Sequence, residues 1–275
     1  MRKSLRVLVP ILFFLVAAGA EAAVGVAFIH GKGGASLANA ATARAYWTDD
    51  MIRATTKNYT VPYLICHYDG TKIMWDAAGQ VAGQLTTWLA ANPSITQFVV
   101  ETHSFGGVVI RWIMSNPTYD SRYPNIISKI KWVNSIAPPN KGSEAANLAG
   151  TLSGSWLTGW LVDLVGQNND STKNCRTDWM AYYNANYLKG TSGRPALPKT
   201  VYNVAGTGLW NDFCLECVGL ATLSGIAGLP GEDDGMVAQY SAQAVGTVWF
   251  KTDANHHYNR RNSYRKIGDS LATDF

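Results

Sequence analysis

The stretch Val99-Val100-Glu101-Thr102-His103-Ser104-Phe105-Gly106-Gly107-Val108-Val109-Ile110 constrains the fold of this chain more than any other. An apolar run ends in a small polar cluster, and a second apolar run follows with no spacer. The pattern predicts a strand, Thr96 to Glu101, that turns sharply into a helix, Phe105 to Met114. Ser104 occupies the turn. Residues around such a turn must be small, because strand and helix nearly touch there. Gly106 and Gly107 are small; Thr102 is larger than the requirement suggests.

The rest of the chain repeats this alternation. Val24 to Ile29 reads as a buried strand, Ala38 to Arg53 as a helix, and Val61 to His67 as a second strand. Met74 to Ala91 carries Trp75, Val81, Leu85 and Leu89 at helical spacing and ends before Asn92-Pro93. Ile127 to Ser135, Thr200 to Ala205 and Val245 to Lys251 read as further strands, with a Gly/Cys-rich loop running to Pro230 and a C-terminal helix over Tyr258 to Leu271. Strands alternating with helices imply parallel pairing through helical crossovers, hence an α/β chain with a sheet of about six strands. A chain of 275 residues, 47% hydrophobic and 15% charged, suits one domain with a substantial core. The net charge is +4, with no basic stripe interleaved with aromatics, which argues against a nucleic-acid partner. The cluster Arg260, Arg261, Arg265 and Lys266 is expected on the exposed face of the terminal helix.

Residues 1–22 read as a leader. Arg2, Lys3 and Arg6 supply positive charge, Val7 to Gly19 an apolar segment, and Ala20-Glu21-Ala22 a small-x-small cleavage site before Ala23. The expectation is a secreted or periplasmic chain, residues 23–275, with no transmembrane segment after cleavage. Export permits disulfides. Of Cys66, Cys175, Cys214 and Cys217, Cys66 lies in the apolar run Tyr63-Leu64-Ile65-Cys66 and suits a buried thiol. A bridge from Cys175 to Cys214 or Cys217 is the favoured pairing.

Several short motifs carry chemistry. The first strand runs into His30-Gly31-Lys32-Gly33-Gly34-Ala35-Ser36, whose glycines free the backbone to expose N–H groups. A phosphate loop would need a following Gly-Lys-Ser/Thr, which is absent. The segment Gly231-Glu232-Asp233-Asp234-Gly235-Met236-Val237 places two carboxylates after a strand, and Asn255-His256-His257 follows the last strand. Serine, aspartate and histidine thus occur in the order of a hydrolytic triad, in which the imidazole takes the hydroxyl proton and the carboxylate fixes its tautomer. No His-Glu-x-x-His is present, and neither a metal nor another cofactor is expected.

Together these motifs resemble the small secreted bacterial lipases and esterases of the α/β-hydrolase superfamily. Thr102-His103-Ser104-Phe105-Gly106 is similar to their nucleophile elbow, with threonine for the usual first glycine. The resemblance implies Ser104 as nucleophile and the backbone N–H groups of Lys32 and Phe105 as oxyanion donors. Asp-Gly-x-Val implies Asp234 as acid, with Asp233 the competitor expected on a solvated turn. Asn255-His256 implies His256 as base, with His257 the alternative. His30 and His103 are expected to be supports. Ala137-Pro138-Pro139-Asn140-Lys141-Gly142-Ser143 resembles the Pro-x-x-Gly-Ser stretch these lipases carry before their lid. A cap or lid is then expected over residues 145–198, with Leu148, Leu152, Trp156, Trp160 and Leu164 as an apolar stripe. Larger lipases place a calcium-binding aspartate two residues after the base; Tyr258 or Asn259 stands there, so no calcium site is expected. The implied activity is hydrolysis of an ester or lipid substrate. The rivals are a polyester depolymerase, an acyltransferase, or a catalytically silent binding module on the same fold.

Overall fold

A computed structural model describes residues 23–149, 169–208 and 215–256, with backbone only at 215–218. The expected leader, the stripe residues from Leu152 to Leu164, Cys214, His257 and the C-terminal helix lie outside the described residues, as does the side chain of Cys217.

Six strands form one sheet: β1 (Ala23–Ile29), β2 (Tyr63–Cys66), β3 (Ile95–His103), β4 (Ile130–Ile136), β5 (Val201–Gly206) and β6 (Thr247–Thr252). Their order is β2-β1-β3-β4-β5-β6 and every pairing is parallel. This is the sheet of an α/β-hydrolase fold. Strand order reverses direction at β1, which lies between β2 and β3. In open parallel sheets a crevice forms beyond the carboxyl ends of the strands at such a reversal. The Gly-rich loop leaves β1 and Ser104 leaves β3 at neighbouring strand ends, where Ile29 pairs with Thr102.

The helices are α1 (Ala40–Trp47), α2 (Asp49–Thr55), α3 (Met74–Ala91), α4 (Phe105–Ser115), α5 (Tyr123–Lys129), α6 (Glu144–Ala149), α7 (Asp170–Asn174), α8 (Thr177–Asn186), α9 (Leu215–Ala227) and α10 (Gln239–Ala242). Successive strand side chains face opposite sides. Phe98 and Val100 of β3 join Val81, Leu85, Val109, Ile113 and Ile126 in a core under α3, α4 and α5. Val99 joins Val26, Phe28, Trp47, Met51 and Ile52 on the opposite face, under α1 and α2. A smaller cluster of Ala145, Ala205, Leu220, Leu223 and Val237 joins α6 and α9 to the end of β5. No helix of the described residues is long and apolar enough to cross a membrane.

Three secondary-structure expectations need correction. The helix over Ala38 to Arg53 is two helices. Thr48, at φ 67°, interrupts it, and its hydroxyl accepts the Met51 N–H to start α2. Ile127 to Lys129 is helical, and strand β4 begins only at Ile130; Pro124 in the first turn of α5 favours a helix start there. The Gly/Cys-rich segment before Pro230 is not all loop, since Leu215 to Ala227 is α9. Its apolar composition without strong periodicity hid the helix. The bridge expected from Cys175 is also not formed: Cys175 and Cys66 are free, buried thiols. Burial pushes both up to about 12, so neither is a ready thiolate at neutral pH.

Helix α4 is buried along its whole length, including Arg111. Its guanidinium donates to the carbonyls of Lys189 (2.8 Å) and Asn140 (3.2 Å) and to Asn184 Oδ1 (2.7 Å). It thereby ties the helix behind Ser104 to the β4 exit loop and to α8.

Glu101 is fully buried on β3, beside Asn134 of β4, whose Nδ2 donates to Glu101 Oε1 at 2.8 Å. Burial pushes the Glu101 carboxyl up to about 8, against the smaller opposing effect of the Asn134 bond. The folded state therefore holds a proton that the unfolded chain releases above about pH 4.5. Stability should fall as pH rises between these two values and level off above the higher one. Glu101→Gln, which cannot ionise, should unfold at higher urea than the wild type at pH 9, by ~2–4 kcal/mol relative to their difference at pH 5. Urea titrations at both pH values that run parallel for the two proteins would contradict this.

Candidate active site

Ser104 ends β3 and caps α4 with φ 52° and ψ −127°, a backbone conformation that L-residues rarely adopt. Its amide donates to Ile136 O at 2.8 Å, and its carbonyl accepts the Gly107 N–H at 3.0 Å. Its hydroxyl makes no capping bond, so it is not consumed in starting the helix. The turn is as tight as the sequence implies. A Cβ on Gly106 would lie 2.3 Å from Ile29 O and 2.4 Å from His30 O, so only glycine brings α4 this close to β1. The larger Thr102 is accommodated sideways. Its hydroxyl donates to Asn134 O at 3.2 Å and lies 3.2 Å from Ser135 Oγ. Gly107 faces the same place, where a Cβ would be 2.5 Å from Ser135 Oγ and 3.4 Å from Thr102 Oγ1. The second glycine thus gives the room that the threonine takes.

Phe105 stands at the first position of α4, where an amide has no intrahelical acceptor. Lys32 follows β1 and is buried. The peptide that carries its N–H is held from behind. The Gly31 carbonyl of that peptide lies 2.8 Å from His30 Nδ1, and a carbonyl only accepts, so Nδ1 donates. Tyr68 N–H donates to His30 Nε2 at 3.3 Å, which fits the same neutral tautomer. Tyr68 stacks on His30 (3.9 Å, 6°), and its hydroxyl donates to His30 O at 2.5 Å. In a trans peptide the N–H points opposite to the C=O. Fixing Gly31 O therefore aims the Lys32 N–H away from His30.

Asp234 is fully buried. Its Oδ2 lies 2.9 Å from His256 Nδ1, and its Oδ1 accepts the amides of Met236 (3.1 Å) and Val237 (2.8 Å). The His256 amide also donates to Asp234 O at 2.8 Å, so the two loops are joined by backbone as well as side chain. Asp233 points elsewhere, and it is not on a solvated turn. It is buried, with Oδ2 accepting from Ser224 Oγ (2.9 Å) and Oδ1 from the Gly235 amide (2.7 Å). Burial pushes its carboxyl above the usual range, those two bonds notwithstanding. Asp233 also forms an isolated antiparallel bridge with Ala238, and its bond to Ser224 of α9 is a contact that an acidic Gly-flanked sequence does not reveal.

A small cavity opens at this strand end. Ser104, His256, Lys32, Ser143, Cys175 and Met236 are among the residues that line it. The structure thus brings Ser104 and His256 to one cavity, with Asp234 behind the imidazole and Lys32 across from it. Ser143 bonds through its hydroxyl to Met236 O, and Ser241 Oγ donates to Gly142 O (2.6 Å). The Pro-x-x-Gly-Ser stretch is thereby fastened to the segment that follows Asp234. Tyr46 and Tyr68 are missed by sequence reasoning. One lies near the end of α1 and the other just past an edge strand, and neither sits in a local motif. Among the described residues no group of His, Cys, Asp and Glu is arranged to hold a metal.

No protein-family model and no curated protein sequence matches the chain. Solved structures do resemble it. The mature form of a Bacillus licheniformis lipase superposes with a TM-score of 0.65 at 21% identity, covering 92% of this chain and 90% of that one. A metagenomic carboxyl esterase gives 0.62 at 16% identity, over 92% and 77% of the two chains. Lipase 1 from Pelosinus fermentans gives 0.60 at 12% identity, over 90% and 98%. At these identities the likeness establishes the shared fold.

Proposed function

We propose that the chain is a carboxylic-ester hydrolase of the lipase or esterase type, exported by residues 1–22, that works through an acyl-enzyme on Ser104. The observation that carries the reading is the buried Asp234–His256 pair, 2.9 Å apart, beside a cavity it shares with a serine in strained conformation. A serine hydroxyl is a weak nucleophile unless a base takes its proton. His256 takes it; Asp234 holds the imidazole with Nδ1 protonated, leaving Nε2 to accept. Ser104 Oγ then attacks the ester carbonyl, and the amides of Phe105 and Lys32 bind the oxyanion. The alcohol leaves with the proton returned by His256, and water completes the cycle by the same route. The names of the similar structures, lipases and a carboxyl esterase, agree with this chemistry.

The test is a series of p-nitrophenyl esters from butyrate to palmitate. The expected result is turnover with a pre-steady-state burst near one equivalent of nitrophenol per enzyme, abolished by a phosphonate ester. A purified, folded chain that cleaves no member of the series and takes up no phosphonate would point instead to a silent binding module.

A further inference from the structure

Tyr46 lies in α1, outside every motif, yet its hydroxyl reaches the loop after β1 and the His103 ring. The Gly31 amide donates to Tyr46 Oη at 3.0 Å. Tyr46 Oη is in turn hydrogen-bonded to His103 Nδ1. The His103 ring packs on the His256 ring, with centroids 4.6 Å apart at 42°. The approach is close: a Cβ on Gly31 would sit 2.7 Å from Tyr46 Oη and 2.7 Å from Ser104 Cβ. Gly31 is the residue between the two peptides that aim the Lys32 N–H. One peptide is held at Gly31 O by His30, and the other at its N–H by Tyr46.

We propose that Tyr46 and His103 are a positioning pair that couples the oxyanion loop to the general base. The inference rests on the ester-hydrolase reading of the same site. The phenol oxygen accepts from Gly31, which leaves its proton for His103 Nδ1. In this arrangement Tyr46 donates to His103 Nδ1, and His103 is the neutral tautomer with its proton on Nε2. A neutral ring against His256 does not oppose the positive charge that His256 gains in the transition state. The titratable groups that face this pair include His30, whose ring lies 5.7 Å from Tyr46, Tyr68 stacked on His30, His256, and Asp234 behind it. The same hydroxyl therefore does two things at once. It stops the Gly31 peptide from rotating, which would turn the oxyanion donor away, and it keeps the neighbour of the base uncharged.

Tyr46→Phe removes the oxygen and keeps the ring. It should lower kcat about 10- to 100-fold with KM within about twofold, a fraction of the loss for deleting an oxyanion donor outright. Affinity for an alkyl boronic acid, which imitates the tetrahedral state, should fall by the same factor as kcat. A merely structural residue would not split boronate affinity from KM in this way. His103→Phe should lose activity as well, and the double variant should lose no more than the worse single one. Losses that multiply would overturn the coupling, and a Tyr46→Phe enzyme with wild-type kcat and boronate affinity would overturn the proposal. If Tyr46→Phe fails to fold, nitrogen NMR of the histidine-labelled wild type decides. Nε2 protonated and Nδ1 accepting on His103 supports the pair, and a proton on His103 Nδ1 overturns it. Wild-type protein that neither turns over esters nor binds phosphonate would instead fail the ester-hydrolase reading itself, a separate outcome.

Discussion

Ser104→Ala should lower kcat for ester hydrolysis by roughly 10³-fold or more and leave the fold intact. The argument is local. Alanine keeps the Cβ, so the positive φ at this position costs the variant what it costs the wild type. The backbone bonds from Ser104 N to Ile136 O and from Gly107 N to Ser104 O need no side chain. The hydroxyl caps nothing, so its removal should not shift the urea midpoint. Only the proposed nucleophile is lost. A phosphonate that inactivates the wild type should add its mass to the peptide containing Ser104 and to no peptide of the variant. Ser143 lines the same cavity and is the natural competitor, but its hydroxyl is bonded to Met236 O. An adduct on Ser143 would move the nucleophile there.

Asp234→Asn should be nearly as damaging, with a loss of roughly 10³- to 10⁴-fold in kcat, as expected when a triad carboxylate is replaced by an amide. Oδ2 accepts the Nδ1 proton of His256, and an amide nitrogen in its place would force the opposite tautomer. The Met236 and Val237 amides still find an oxygen at Oδ1, so the variant should fold. Asp233→Asn gives the contrast. Its carboxylate serves Ser224 and Gly235, not the imidazole. Activity should stay within a few-fold, while stability drops by about 1 kcal/mol, the ordinary worth of a weakened buried hydrogen bond. Steady-state kinetics and urea unfolding on both variants check this ranking, and the reverse ranking would reassign the acid.

Much of this architecture is legible in the sequence because it rests on short-range signals. Apolar runs that end in glycine-rich turns mark β1 and β3, and a long periodic stretch marks α3 from Met74 to Ala91. Legibility fails where distant contacts decide. Thr48 breaks a helix at φ 67°, and Trp47 and Ile52 on either side of the break are both buried, a packing outcome that helical periodicity alone does not record. Asp233 looks like a surface turn until Ser224 of α9, a helix the sequence conceals, is brought beside it. Cys175 invites a partner in a chain read as exported, yet it sits in the cavity wall as a thiol. Ser104, Asp234 and His256 each sit in a short motif, which is why a sequence reading picks them out. Tyr46 and Tyr68, which hold the loop between them, are visible only once α1 and the end of β2 are folded against it.

The two halves of the candidate triad belong to parts of the sheet with unequal hold on the core. Ser104 leaves β3, flanked by strands on both sides and covered on both faces. His256 follows β6, an edge strand among the described residues, whose outer half is exposed, with Val248 45% accessible. Local opening of a protein starts where apolar contacts are few. A fluctuation that frees β6 would carry the imidazole away from the serine while the central strands stay paired. Loss of activity on heating and loss of the fold are therefore separate events in such a molecule. The first should reverse on cooling, since the opening starts at the sheet's rim and leaves its centre paired.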